Sequence, residues 1–140
     1  MSTSFSGGCA CGAIRYECSA EPVAMLNCHC RDCQRASGGG SAPVVAVPAA
    51  AFALRKGEPR YHETRGDAGH LARRGFCAQC GSPLVASGSR MPGIIVLKVA
   101  SLDDPSWFKP MADIWMVSAQ PWEPVDPGLP KIPKDLPPRG

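Results

Sequence analysis

The sequence lacks a long hydrophobic run and a cluster of basic residues, and its first residues do not resemble a signal peptide. Its longest stretch of low polarity, Ala42–Leu54, covers 13 residues and includes two prolines, whereas a membrane-spanning helix needs about 20 apolar residues. The opening residues, MSTSFSGG, contain neither a basic nor an apolar segment, so no signal peptide is expected. Lysine and arginine occur at most in pairs, and the net charge is only +3. We therefore expect a cytoplasmic protein with no membrane or nucleic-acid partner.

The composition excludes a disordered chain and a helix-rich one. A chain of 140 residues is the size of one domain, and its 44% hydrophobic and 19% charged residues are typical of a globular protein. Fifteen glycines and fifteen prolines are too many for long helices. This composition predicts an all-β domain of short antiparallel strands.

Alternation of apolar and polar residues locates the strands. In Ile14–Cys18 the even positions are apolar and the odd ones charged, which indicates a half-buried strand. A short helical turn is predicted at Arg31–Ser37, before three glycines. The other predicted strands are Val23–Asn27, Val44–Val47, Phe52–Arg55, Tyr61–Arg65, His70–Arg74, Leu84–Ser87, Ile94–Val99 and Ile114–Val117.

The composition changes after Ser118, which divides the chain into a β domain over residues 1–120 and a proline-rich arm over 121–140. Prolines recur every third residue from Pro121 to Pro133 and end with Pro137–Pro138, a period that matches polyproline II. Such an arm can lie against the domain or bind a proline-recognising partner, and we favour the first.

Eight cysteines are the main chemical feature. Seven fall into the clusters C-x-C, C-x-C-x-x-C and C-x-x-C, which indicate metal binding rather than a disulfide framework. Zinc is the metal that such sites prefer, and an iron–sulfur cluster is the alternative.

Two of these clusters can complete one tetrahedral site. Cys9 and Cys11 lie on the same face of an extended segment, and Cys77-Ala-Gln-Cys80-Gly81 is typical of a zinc knuckle. Four thiolates leave no open position, so this zinc would be structural.

The third cluster supplies three thiols, Cys28, Cys30 and Cys33, which can hold a second, labile zinc with one open position. Cys18 would close that site, but it lies in phase with Ile14 and Tyr16, which favours a core thiol. His29 is predicted to support this site or to shuttle a proton, while His62 and His70 are expected at the surface.

These motifs resemble a known family. Gly8-Cys9-Ala10-Cys11-Gly12, Cys28-His29-Cys30-Arg31-Asp32-Cys33 and Phe76-Cys77-Ala78-Gln79-Cys80-Gly81 occur in the order found in the glutathione-dependent formaldehyde-activating enzymes, which include centromere protein V. The resemblance implies a β-tent fold with a structural zinc and a labile one on the two sulfur groups. The family usually carries histidine where this chain has Asp113.

The resemblance implies a carbon–sulfur lyase that joins a small aldehyde such as formaldehyde to glutathione as co-substrate. Cys28, Cys30, Cys33 and His29 are then the candidate catalytic residues. The alternative is a non-catalytic zinc-binding module or glutathione carrier, with a protein partner for the arm.

Overall fold

The computed structural model describes residues 4–66 and 69–136. These residues fall into two compact units. The first lies within Met1–Ala24 and Val45–Trp107, and the second within Met25–Val44 and Phe108–Gly140. Most of the regular structure is β-sheet, and the described ranges hold one α-helix. None of the helices there combines the length and apolar character needed to cross a membrane.

The first unit contains two antiparallel arrangements of strands. One has the order β1-β2-β5, and the other has the order β9-β8-β7-β6. The strands are β1 (Phe5–Gly8), β2 (Arg15–Cys18), β5 (Phe52–Lys56), β6 (Arg60–Arg65), β7 (Leu71–Phe76), β8 (Pro83–Gly88) and β9 (Ile94–Lys98). Strand β4 (Ala42–Pro48) contributes residues to both units.

The core of the first unit follows the alternation in the sequence. Ile14, Tyr16 and Cys18 are buried, while Glu17 between them is exposed. Tyr16 is the largest fully buried side chain among the described residues, and its hydroxyl lies 2.6 Å from the Ser101 hydroxyl. Strand β2 therefore presents one apolar face to the interior, as predicted.

The second unit contains a parallel pair, β3 (Ala24–Cys28) with β10 (Ala112–Ile114), and the helix α1 (Arg31–Ser37). The helix has the predicted bounds. Cys30 caps its N-terminus, where the Cys30 sulfur accepts a hydrogen bond from the Cys33 N–H at 3.2 Å, and Gly38 with φ of 77° caps its C-terminus. The parallel pair corrects the prediction of antiparallel strands throughout.

The predicted strand Ile114–Val117 is wrong beyond its first residue. Trp115 has φ of 59°, the one positive value at a non-glycine position in the described ranges, so the extended backbone ends at Ile114. A 3₁₀ turn then covers Met116–Ser118. The prediction also missed β1, whose sequence Phe-Ser-Gly-Gly has only one apolar residue.

The C-terminal segment contains turns rather than one continuous polyproline II helix. Backbone hydrogen bonds close turns from Glu123 N–H to Gln120 O and from Leu129 N–H to Asp126 O. Trp122 is 64% exposed, so it does not pack inward as an arm-anchoring residue would. Pro137 and Pro138 lie outside the described residues.

The last part of this segment is held by strand β10. The Asp113 N–H donates to Pro130 O and the Ile132 N–H donates to Asp113 O, both at 2.9 Å. Within the second unit the chain at 130–134 therefore lies alongside the edge of β10, which positions Lys131 beside Asp113.

Candidate metal centre and adjoining buried site

Four thiols meet in the first unit. The sulfurs of Cys9, Cys11, Cys77 and Cys80 all lie within 4.8 Å of one another. The Cys9–Cys11 and Cys11–Cys77 sulfur distances are 3.6 and 3.8 Å. A tetrahedral zinc with Zn–S bonds of about 2.3 Å separates its sulfurs by about 3.8 Å. The group therefore fits zinc, and all eight cysteines of the chain are free thiols.

Two similar turns build this four-thiol cluster. The Gly12 N–H donates to Cys9 O at 3.2 Å and the Gly81 N–H donates to Cys77 O at 2.8 Å. Both glycines have positive φ, 80° and 78°, which ordinary residues adopt only with strain. Each turn bends the chain so that a second cysteine can approach the first.

The thiols of the four-thiol cluster differ in pKa because their hydrogen bonds differ. The Ser82 hydroxyl and backbone lower the pKa of Cys80 to about 5. A backbone hydrogen bond at Ala13 lowers the pKa of Cys11, but contacts with the other thiols outweigh it and raise the value to about 11. Four thiolates repel one another, so a bound cation would favour ionisation of the whole set.

Three thiols meet in the second unit. The sulfurs of Cys28, Cys30 and Cys33 lie within 4.8 Å of one another, with Cys28 and Cys33 buried. Cys18 and His29 are not members of this group. Strand β3 supplies Cys28, and helix α1 with its first flanking residue supplies the other two. This three-thiol cluster can also hold zinc, with one position left for another ligand.

The pKa of Cys28 is raised by its contacts with Cys30 and Cys33 and by burial. Contact with Cys28 lowers the pKa of Cys30, but Cys33 and burial outweigh it and leave a raised value. Cys28 and Cys30 therefore hold their protons more tightly than free thiols do, and a bound cation would favour their ionisation.

His29 lies between two of these thiols in the chain, and only 1% of it is exposed. Its Nε2 lies 3.0 Å from Asp113 Oδ1, and Asp113 Oδ2 lies 2.8 Å from Lys131 Nζ. Burial alone would raise the pKa of Asp113, but hydrogen bonds with Lys131, His29 and Asn27 lower it below the usual range. The site thus contains a His–Asp–Lys triad, buried at His29 and Asp113 and exposed at Lys131, that the sequence motifs did not indicate.

The other two histidines have no place in either cluster. His62 lies on β6 and is exposed, as expected, whereas His70 precedes β7 and is partly buried. Cys18 is 1% exposed, and its sulfur lies 3.5 Å from Ala20 O in the first unit.

A family model described as glutathione-dependent formaldehyde-activating enzyme matches residues 4–118. The chain belongs to this family. Membership supports a catalytic role related to glutathione and formaldehyde, since the family acts on small thiol and aldehyde substrates. The two sulfur clusters lie in the matched range, while Lys131 lies beyond it.

One solved structure supports the fold of this family member. The crystal structure of a Rhodobacter sphaeroides protein aligns with a TM-score of 0.57 and 18% sequence identity. The alignment covers 91% of this chain and 98% of that one. At this identity the similarity establishes the fold alone. No curated protein matches this chain.

Proposed function

We propose that the protein is a zinc-dependent carbon–sulfur lyase that forms and cleaves the adduct of formaldehyde, or a similar small aldehyde, with glutathione or a similar thiol. In the forward direction the thiol sulfur bonds to the aldehyde carbon, and the thiol proton ends on the aldehyde oxygen. The observation that carries the proposal is the three-thiol cluster, which has one ligand fewer than a closed tetrahedral site, in a member of this family.

The two clusters have different proposed roles. Cys9, Cys11, Cys77 and Cys80 would hold a structural zinc, since four sulfurs at tetrahedral separations leave no position for a substrate. Cys28, Cys30 and Cys33 would hold the second zinc, and the substrate sulfur would take the fourth position. Bound zinc would supply Lewis acidity that favours the deprotonated thiol at neutral pH.

The protein's own residues would hold and orient the reactants. The three cysteines fix where the thiol sulfur lies, and this proximity replaces a bimolecular encounter by reaction within one complex. His29 is almost fully buried and hydrogen-bonded to Asp113, which supports a role in ordering the site rather than direct proton transfer to substrate.

The wider organisation follows from the same reasoning. We propose a β-tent fold with one zinc-binding β domain over residues 1–120 and a proline-rich segment over 121–140. A cytoplasmic location is supported by the eight free thiols, because oxidising compartments favour disulfides.

The decisive experiment measures the exchange of formaldehyde with glutathione at equilibrium by two-dimensional exchange NMR, with the uncatalysed rate subtracted. Wild type should accelerate the exchange, contain two zinc ions per chain and bind glutathione by calorimetry. The triple variant Cys28→Ser, Cys30→Ser, Cys33→Ser should retain one zinc and lose both acceleration and binding. Cys18→Ser is the matched control, since this buried thiol lies outside both clusters.

The results separate the three readings of the site. Equal exchange rates for wild type and the triple variant would refute the lyase. Retained glutathione binding in wild type would then establish a carrier. If wild type neither accelerated the exchange nor bound glutathione, the protein would be a zinc-binding module.

A further inference from the structure

The His29 ring uses only one of its two nitrogens in hydrogen bonding. Nε2 lies 3.0 Å from Asp113 Oδ1, whereas Nδ1 is buried and has no hydrogen-bond partner among the described residues. A carboxylate oxygen only accepts, so in this contact Nε2 carries the proton and donates it to Asp113. An N–H at Nδ1 would be buried without an acceptor, which costs more than leaving a lone pair unpaired.

Lys131 supplies the charge that keeps Asp113 ionised. Its ammonium group lies 2.8 Å from Asp113 Oδ2, 2.9 Å from Leu129 O and in hydrogen-bonding contact with Asp126 O. The ammonium group thus donates to two carbonyl oxygens and forms an ion pair with the carboxylate, and the lysine can only donate. Because the side chain of Asp113 is 2% exposed, its negative charge is balanced by this cation rather than by water.

The backbone of His29 is fixed from both sides. Its N–H donates to Ile114 O at 3.0 Å, on the strand that carries Asp113. Its carbonyl accepts from Gln34 Nε2 at 2.7 Å, and the same amide group donates to Ser118 O at 2.9 Å. Ring and backbone of the residue between Cys28 and Cys30 are therefore both tied to the segment 113–131.

We propose that Asp113 is a positioning residue of the three-thiol cluster: held by Lys131, it fixes His29 as the Nε2–H tautomer and so holds the Cys28–Cys33 loop in the shape that retains a metal ion. The proposal rests on the proposed function only in that a metal occupies this cluster. Lys131 brings the C-terminal segment into the site, although it lies outside the region that the family model matches.

The substitution Asp113→Asn tests the tautomer directly. Because Lys131 can only donate, the Asn oxygen would turn toward it and the Asn NH₂ would face His29 Nε2. The ring must then accept at Nε2 and carry its proton on Nδ1, where no acceptor is available. In the double variant Asp113→Asn, Lys131→Met the amide is free to turn back, so the Nε2–H tautomer should return.

Two readouts follow these variants. Long-range ¹H–¹⁵N NMR of the zinc-loaded protein should show His29 as Nε2–H in wild type, as Nδ1–H in Asp113→Asn and as Nε2–H in the double variant. Chelator competition should show the three-thiol cluster of Asp113→Asn releasing zinc about 10-fold or more readily, the effect expected when a residue that orients ligands is lost. The double variant should recover most of this loss, and zinc at the four-thiol cluster should be unchanged throughout.

Lys109→Met is the matched control, because this exposed lysine of the same unit should affect neither readout. An Nδ1–H tautomer in wild type would overturn the proposal, even if Asp113→Asn failed to fold. The proposal would also be overturned if the zinc losses caused by the two single substitutions simply added in the double variant. It would be overturned as well if the two clusters lost zinc equally. If wild type showed the expected tautomer and zinc retention but no formaldehyde–glutathione exchange, the proposed function would fail and this inference would stand.

Discussion

Replacing Tyr16 with phenylalanine tests how the core of the first unit uses a buried hydroxyl. Only 1% of Tyr16 is exposed, and its ring lies 5.4 Å from that of Phe52. The hydroxyl contacts Ser101 Oγ, which itself donates to Lys98 O at 2.7 Å. Phenylalanine fills the same ring volume and leaves Ser101 bonded to Lys98. At neutral pH we expect Tyr16→Phe to lower the free energy of unfolding by about 1 kcal/mol, the usual value of one hydrogen bond.

The sign of this effect should reverse at high pH. Burial raises the pKa of Tyr16 to about 12, whereas a tyrosine in an unfolded chain ionises near pH 10. The unfolded chain therefore loses its proton first, so stability is unaffected below pH 10 and falls until about pH 12. A shift of about two pKa units corresponds to a loss of roughly 2–3 kcal/mol. Phenylalanine does not ionise, so the two proteins should be equally stable near pH 11 and the variant more stable at pH 12.

The assay is urea denaturation of both zinc-loaded proteins from pH 7 to 12, followed by circular dichroism. The difference between the two free energies of unfolding removes the contributions of other titrating groups. A difference that stays constant over this range would refute the argument, because it would mean that Tyr16 ionises equally easily in the folded and unfolded chains.

Three further substitutions test the sulfur clusters and their surroundings. Cys77→Ser should remove the metal of the four-thiol cluster and leave the chain insoluble or molten, since structural zinc contributes on the order of 10 kcal/mol; a native melting transition would contradict this. Cys18→Ala should cost about 1 kcal/mol with the zinc content unchanged, and loss of one zinc per chain would instead make it a ligand. Gly81→Ala meets no atom within 4 Å, so its expected cost of about 1 kcal/mol in thermal unfolding comes from φ of 78° alone, and unchanged stability would contradict it.

The sequence was most informative where chemistry depends on short spacings. The grouping of Cys28, Cys30 and Cys33 could be predicted because all three lie within six residues, and the knuckle at Cys77–Gly81 has a glycine where the turn needs positive φ. The burial of Ile14, Tyr16 and Cys18 followed from a period of two residues. Helix α1 could be predicted because three glycines follow it.

The sequence did not predict features that depend on contacts between residues far apart along the chain. Strand β1 forms because β2 pairs with it, and its own sequence contains two glycines that disfavour a strand. The contact of His29 with Asp113 joins positions 84 residues apart. Lys131 was overlooked because the period of the prolines suggested an extended helix, whereas turns in that segment bring its ammonium group to a buried carboxylate.

The separation of the cysteines along the chain determines when each cluster can assemble during synthesis. Cys28, Cys30 and Cys33 leave the ribosome together, and about 50 more residues must be made before Cys80 follows. At roughly 5–20 residues per second this delay lasts several seconds. The nascent chain therefore presents a complete three-sulfur ligand set before its four-sulfur set exists. The three-thiol cluster can therefore bind a metal ion first, whereas the four-thiol cluster is complete only once Cys80 has been made, before the last residues of the first unit are synthesised.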